Sequence, residues 1–196
     1  MRHRLFTLLL LAGFLSAQSA RAATYTIDVD HSAVTFKIRH LVSKVQGAFN
    51  QFEGTFDYEP GKPELWKAGA VIQAASIDTN VAARDKHLRS ADFFDVEKFP
   101  TLTFKSTHVE NVMETSAKLH GLLTIHGVEK PVVLDLEIHG VGKDPWGNVR
   151  AGFTATTTVN RKDFGVIWNK ALETGGVLVG DEVEITIEVE GQPKES

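Results

Sequence analysis

VVLDLEIH, residues 132–139, sets Val132, Leu134, Leu136 and Ile138 on one side and Val133, Asp135, Glu137 and His139 on the other. Successive Cβ atoms of a strand point to opposite faces, so this alternation describes a strand with one dry and one wet face. The same period spreads outward in both directions. Val34, Phe36 and Ile38 alternate with Thr35, Lys37 and Arg39; Phe153, Ala155, Thr157 and Val159 alternate with Thr154, Thr156, Thr158 and Asn160. Val183, Ile185, Ile187 and Val189 alternate with Glu182, Glu184, Thr186 and Glu188, and further alternating runs lie near 24–29, 49–58, 68–77, 101–109 and 115–126. The chain reads as all-β.

Turn chemistry separates the runs. His126-Gly127-Val128-Glu129-Lys130-Pro131 joins two strands closely enough for a hairpin, and Gly142-Lys143-Asp144-Pro145-Trp146-Gly147-Asn148 makes a longer polar loop. About eight or nine antiparallel strands with one apolar face each can bury it in a sandwich or in a closed barrel, and periodicity does not choose between them. One stretch breaks the rhythm: Asp78, Thr79 and Asn80 offer N-cap side chains, and the helix formers that follow predict a helical segment from 81 to about 90. A second short helix is expected near 39–45.

The first 22 residues stand apart. MRHR supplies a cationic start, LFTLLLLAGFL (5–15) an apolar run too short for a stable membrane anchor, and Ala20-Arg21-Ala22 an A-x-A cleavage site. They read as a secretory signal peptide, leaving one domain over 23–196. The leader carries three of the 21 basic residues and none of the 25 acidic ones, so the remainder has 18 against 25, a balance of −7. That charge disfavours nucleic acid as a partner. With no cysteine in an exported chain, packing and sheet hydrogen bonds must supply all the stability.

RDKHLRSADFFDVEKFP (84–100) gathers Asp85, His87, Ser90, Asp92, Asp95 and Glu97 around three phenylalanines. These residue types occur in hydrolytic sites, but an amphipathic helix and loop with solvated charges and inward-facing Leu88, Phe93, Phe94 and Phe99 accounts for them better. Metal binding has no support in spacing. Of the seven histidines beyond the leader none forms a ligand motif, and His120 and His126, on one face of a strand, lie about 20 Å apart. Phosphate-loop and dinucleotide signatures are absent. Small residues on apolar faces say more: Ala68, Ala70, Ala74 and Ser76 accompany Ile72, and Gly121 sits among Leu119, Leu123 and Ile125. Such faces leave room for a small ligand inside a barrel, the alternative being a packed core that tapers.

The runs RDKHLRSADFFDVEKFPTLTFKS (84–106), GLLTIHGVEKPV (121–132), PWGNVRAGF (145–153), NRKDFGV (160–166) and LVGDEVEI (178–185), in this order through almost the whole chain, resemble the YceI-like family of exported lipid-binding proteins. The resemblance implies an antiparallel eight-stranded lipocalin-like β-barrel with one or two short helices. Its bore would hold a polyisoprenoid lipid, such as a prenyl quinone or its precursor, with no cofactor and no reaction of its own. It implies a periplasmic protein that sequesters, stores or transports that lipid; pairing of two barrels into a homodimer is left open.

On this reading Phe36, Ile38, Phe52, Phe56, Ile72, Phe104, Leu119, Leu123, Leu134 and Phe153 line the bore, each lying on the apolar face of its strand, while Phe93, Phe94 and Phe99 extend the lining. Arg84, His87 and Arg89 are expected to contact a polar head group at the mouth. Trp146 and Trp168 fall in loops where surface packing explains them equally well, and nothing in the sequence demands that the loop 168–176 act as a lid. Two rivals remain: an exported enzyme acting on an isoprenoid lipid or sugar through Asp85 and His87, and a stress-response barrel packed solid.

Overall fold

A computed structural model describes residues 22–173 and 176–194, so the leader expected over 1–22 lies, but for Ala22, outside the described residues. Eleven strands follow in chain order: β1 Ala23–Ile27, β2 Ala33–His40, β3 Ser43–Phe49, β4 Phe52–Tyr58, β5 Lys67–Gln73, β6 Ile77–Asp78, β7 Thr101–Glu110, β8 Ser116–Ile125, β9 Val128–Lys143, β10 Val149–Asn160 and β11 Val179–Pro193. One α-helix, α1 (Ala82–Arg89), lies between β6 and β7.

All eleven belong to one sheet that closes on itself where Tyr25–Ile27 of β1 meet Gly191–Pro193 of β11. Three walls are broken strands: a 3-10 turn over Val29–His31 divides β1 from β2, residues 50–51 divide β3 from β4, and a 3-10 turn over Ala74–Ser76 divides β5 from β6. The long β11 spans one break, pairing with β2 through Val183–Glu188 and with β1 beyond it. Counted as walls there are eight, each antiparallel to its chain neighbours, so the molecule is an up-and-down barrel closed by the β1–β11 pairing.

Short turns do much of the closing. Ile125 pairs with Val128, leaving His126 (φ 52°) and Gly127 (φ 73°) as a two-residue loop whose left-handed conformations match the strand twist. The helix expected near 39–45 does not form: His40 pairs with Ser43 across a tight hairpin in which Leu41 takes φ 51°. The alternation of Phe36, Ile38, Val45 and Phe49 outweighs the local helix formers, because only the strand pairing buries those side chains. Helix α1 begins one residue later than expected, and its capping runs backwards. Val81 occupies the N-cap without a side-chain bond, and Asp85, buried in the first turn, reaches back to accept from Thr79 N (2.9 Å) and Thr79 Oγ1 (2.5 Å). Asp85→Ala leaves two buried donors unpaired and is expected to cost about 1–3 kcal/mol in urea unfolding.

The barrel has two unlike ends. At the end away from α1, Tyr25 stacks on Phe56 (centroids 5.1 Å), Tyr58 packs on Trp66 (4.8 Å), and Phe153 sets its edge against both Phe56 and Tyr58. Trp66 Nε1 donates to Glu59 O at 2.8 Å, which satisfies the indole N–H. Outside it, Arg150 on β10 lies 3.0 Å from Asp28, 3.7 Å from Asp144 and 3.6 Å from Glu190, tying β1, β11 and the β9–β10 loop together.

Interior glycines serve as sockets, which corrects the expectation that they leave room. A Cβ on Gly121 would stand 2.4 Å from the Phe104 ring, and one on Gly47 2.5 Å from the Phe36 ring. The space exists, but an aromatic ring fills it. Gly121→Ala is therefore expected to push Phe104 into the bore and to cost about 1–3 kcal/mol, read from urea midpoints.

Acid will weaken the barrel in a definite window. At Asp28, partial burial raises the carboxyl pKa, but hydrogen bonds from His31 and Asp30 N, with Arg150 nearby, carry it below the ordinary 3.8. Asp181 is held low chiefly by its hydrogen bond from Lys162. Because both folded pKa values are depressed, their stabilisation is complete above the ordinary value and fades as pH falls below it. Urea midpoints should hold level from pH 7 to 5 and drop below pH 4; unchanged midpoints at pH 3 would count against these assignments.

Candidate functional site

Inside the walls lies a cavity of about 680 Å³, lined almost wholly by apolar side chains. That is within the roughly 300–1,000 Å³ of ordinary small-molecule sites. It exists because the inward faces combine large side chains with small ones: Ala68 and Ala70 on β5 and Ala155 on β10 face the same space as the phenylalanines. The small-residue argument therefore holds for these alanines and fails for Gly121.

The sequence-predicted lining converges on this space. Phe36 and Ile38 reach it from β2, Phe52 and Phe56 from β4, Ile72 from β5 and Phe104 from β7. Leu119 and Leu123 come from β8, Leu134 from β9 and Phe153 from β10, while Phe93 and Phe94 enter from the loop after α1. Phe99 does not join them. It packs on His126 (4.4 Å) and against Gly127, bracing the β8–β9 turn.

The three expected head-group residues separate. Arg84 and His87 line the helix end of the cavity. Arg84 donates to Thr79 Oγ1 (2.7 Å) and Thr79 O (2.8 Å), leaving part of its five-donor fork uncommitted. His87 Nε2 lies 2.7 Å from Asp92 Oδ2, and the ring stands edge-on to Phe93 and Trp168. Arg89 is absent from the lining because its guanidinium donates to Ala75 O (2.7 Å) and Ile77 O (2.6 Å), fastening α1 to the wall. Of the two loop tryptophans, Trp168 lines the cavity and Trp146 is 84% exposed in the β9–β10 loop. The segment 168–176 includes residues 174–175, which lie outside the described residues.

Arg161 is the residue that sequence reasoning missed. Only 6% exposed, it lines the mouth and donates to Gly180 O (2.8 Å), Val166 O (2.6 Å) and Trp168 O (2.9 Å), with Asp181 at 3.5 Å. Burial lowers its pKa while Asp181 pulls it back up. The side chain thus pins the 164–168 segment, with Phe164, Val166 and Trp168, to the start of β11. Around the opening, Leu41, Val81 and Ile167 are exposed apolar side chains, and Leu41 N bonds Leu178 O at 3.0 Å.

The chemistry available is limited. Asp85 is committed to Thr79 and does not line the cavity; among lining groups Asp57 sits by the aromatic floor, whereas His40 and His87 sit at the opposite end. What the lining can do is take an apolar molecule out of water.

An antiparallel barrel enclosing an apolar bore is thus the class that fold and site define. The YceI-like domain pattern matches residues 25–191, and the chain belongs to the YceI-like family. The UPF0312 protein of Shewanella baltica strain OS195 is 42% identical over 99% of this chain and all of its own length. That of Pseudomonas syringae pv. tomato is 46% identical over 85% of this chain and 88% of its own. Among solved structures, the Campylobacter jejuni YCEI protein superposes with a TM-score of 0.68 at 35% identity, covering 80% of this chain and 90% of that one. Burkholderia cenocepacia BcnA (TM-score 0.74, 23% identity, 84% and 98% coverage) shares the fold. So does a polyisoprenoid-binding domain from Saccharophagus degradans (0.65, 13%, 89% and 100%).

Proposed function

We propose that this protein is an exported, periplasmic lipid carrier that sequesters, stores or transports a polyisoprenoid such as a prenyl quinone or its precursor, binding it reversibly and catalysing nothing. The observation that carries this reading is the bore itself: about 680 Å³ of apolar space, floored by aromatic rings and opening beside α1. At about 0.8 kcal/mol per buried CH₂, four to five isoprene units gain roughly 16–20 kcal/mol, which exceeds an association cost of about 4–15 kcal/mol. The Saccharophagus degradans domain named for polyisoprenoid binding has the same fold, which supports the ligand class.

Arg84 and His87 would meet a polar head group at the rim, and the leader over 1–22 would deliver the chain to the periplasm. The enzyme reading loses ground because its Asp85 is tied to Thr79; the packed-barrel reading does not accommodate the cavity. Fluorescence tests the proposal. Trp66 and Trp168 line the bore and Trp146 lies outside it, so in a Trp146→Phe protein added prenyl quinone should quench emission saturably at one per chain. Linear, non-saturating quenching would sink it.

A further inference from the structure

We propose that His108, Glu110 and His120 form a binding site for one divalent transition-metal ion of the zinc class, on the outer wall near the aromatic-floor end of the barrel. The site is made by a β-bulge. Ser106 pairs with Gly121 and His108 with His120, so Thr107 is an extra residue that turns His108 outward beside His120, with Glu110 following on the same face. The imidazoles stack with centroids 4.3 Å apart and planes 14° from parallel. One carboxylate spans them: His108 Nε2 lies 3.2 Å from Glu110 Oε1, and His120 Nε2 lies 3.3 Å from Glu110 Oε2.

Three observations point to an ion. First, one ligand atom from each of the three side chains lies within 4.8 Å of the other two, close enough to converge on one ion at bonds of about 2.0–2.1 Å, as zinc makes to His nitrogen and carboxylate oxygen. Second, His120 Nε2 is shielded from solvent yet makes no hydrogen bond, its approach to Glu110 being misaligned, so a buried ring nitrogen stands unpartnered beside the other two side chains. Third, the other nitrogen of His108, Nδ1, lies 3.1 Å from Thr107 Oγ1, a polar partner that holds the ring's orientation as the outer partners of ligating imidazoles do. Lys118, opposite Glu110 in register, does not compete, since its ammonium donates to Asp135. Two imidazoles and one carboxylate suit zinc-class ions over calcium or magnesium, and leave a coordination position open.

Among the described residues the other candidate cluster, Asp28, His31 and Glu190, differs in carrying its own cation, Arg150, 3.0 Å from Asp28 and 3.6 Å from Glu190. It therefore serves as the control. Isothermal titration of tag-free protein with Zn²⁺ should give one saturable site per chain, weakened at least tenfold by His108→Ala and by His120→Ala, and unaffected by His31→Ala. Thr107→Val should weaken it less, by reorienting His108. In the unaltered protein, Zn²⁺ should shift the imidazole ¹⁵N resonances of His108 and His120, a readout that does not depend on any variant folding. No saturable binding, binding that survives both substitutions, or loss on His31→Ala would overturn the proposal.

Discussion

Placing phenylalanine at both Ala68 and Ala70 is expected to lower affinity for a prenyl lipid at least a hundredfold while leaving the barrel folded. The two positions are two residues apart on the inner face of β5, so both new rings enter the bore at neighbouring levels. In a packed core such insertions force off-rotamer side chains, but here they enter open space of about 680 Å³ and remove what the lipid tail needs. A hundredfold loss corresponds to about 2.7 kcal/mol, the burial of three to four CH₂ groups at about 0.8 kcal/mol each. Lipid titration alongside urea unfolding checks both halves. Undiminished binding in a folded double variant would place the ligand elsewhere.

Arg161→Ala is expected to be the most damaging single substitution, costing about 3–5 kcal/mol. It leaves the carbonyls of Gly180, Val166 and Trp168 without their donor in a poorly solvated pocket. Asp181 keeps its bond from Lys162 at 2.8 Å, so the loss falls on the carbonyls. Arg161→Lys should recover little, because one ammonium cannot span three acceptors on separate segments. Once Trp168 is released from β11, the mouth beside His87 loosens, so any bound lipid should leave faster as well. Urea midpoints and dissociation kinetics measure the two effects.

The walls were legible because burial on one face imposes a period of two: Val132 to Ile138, Phe153 to Val159 and Val183 to Val189 all turn their apolar sides to the bore. The breaks were not legible. The 3-10 turns at Val29–His31 and Ala74–Ser76 fall within alternating sequence and arise from the curvature needed to close eight walls. Side chains that bond backbone were equally hidden: Arg89 and Arg161 look like solvent-facing cations in sequence, and only the tertiary position of their carbonyl partners reveals them as clips. Spacing along one strand also concealed the outer-wall histidine cluster. In sequence His120 shares a strand face with His126, whereas its neighbour in space is His108 across the ladder, placed there by a bulge with no sequence signature of its own. The alternation His108-x-Glu110 was the available clue, and it gains meaning only from strand pairing.

The bore is expected to carry an isoprenoid lipid. Mass spectrometry of an organic extract tests it most directly, using protein exported by a bacterial host and purified without detergent, beside an unrelated barrel prepared identically. An isoprenoid species near one per chain, absent from the control, is the predicted result. An extract that matches the control, together with no uptake of added prenyl quinone, would contradict the account.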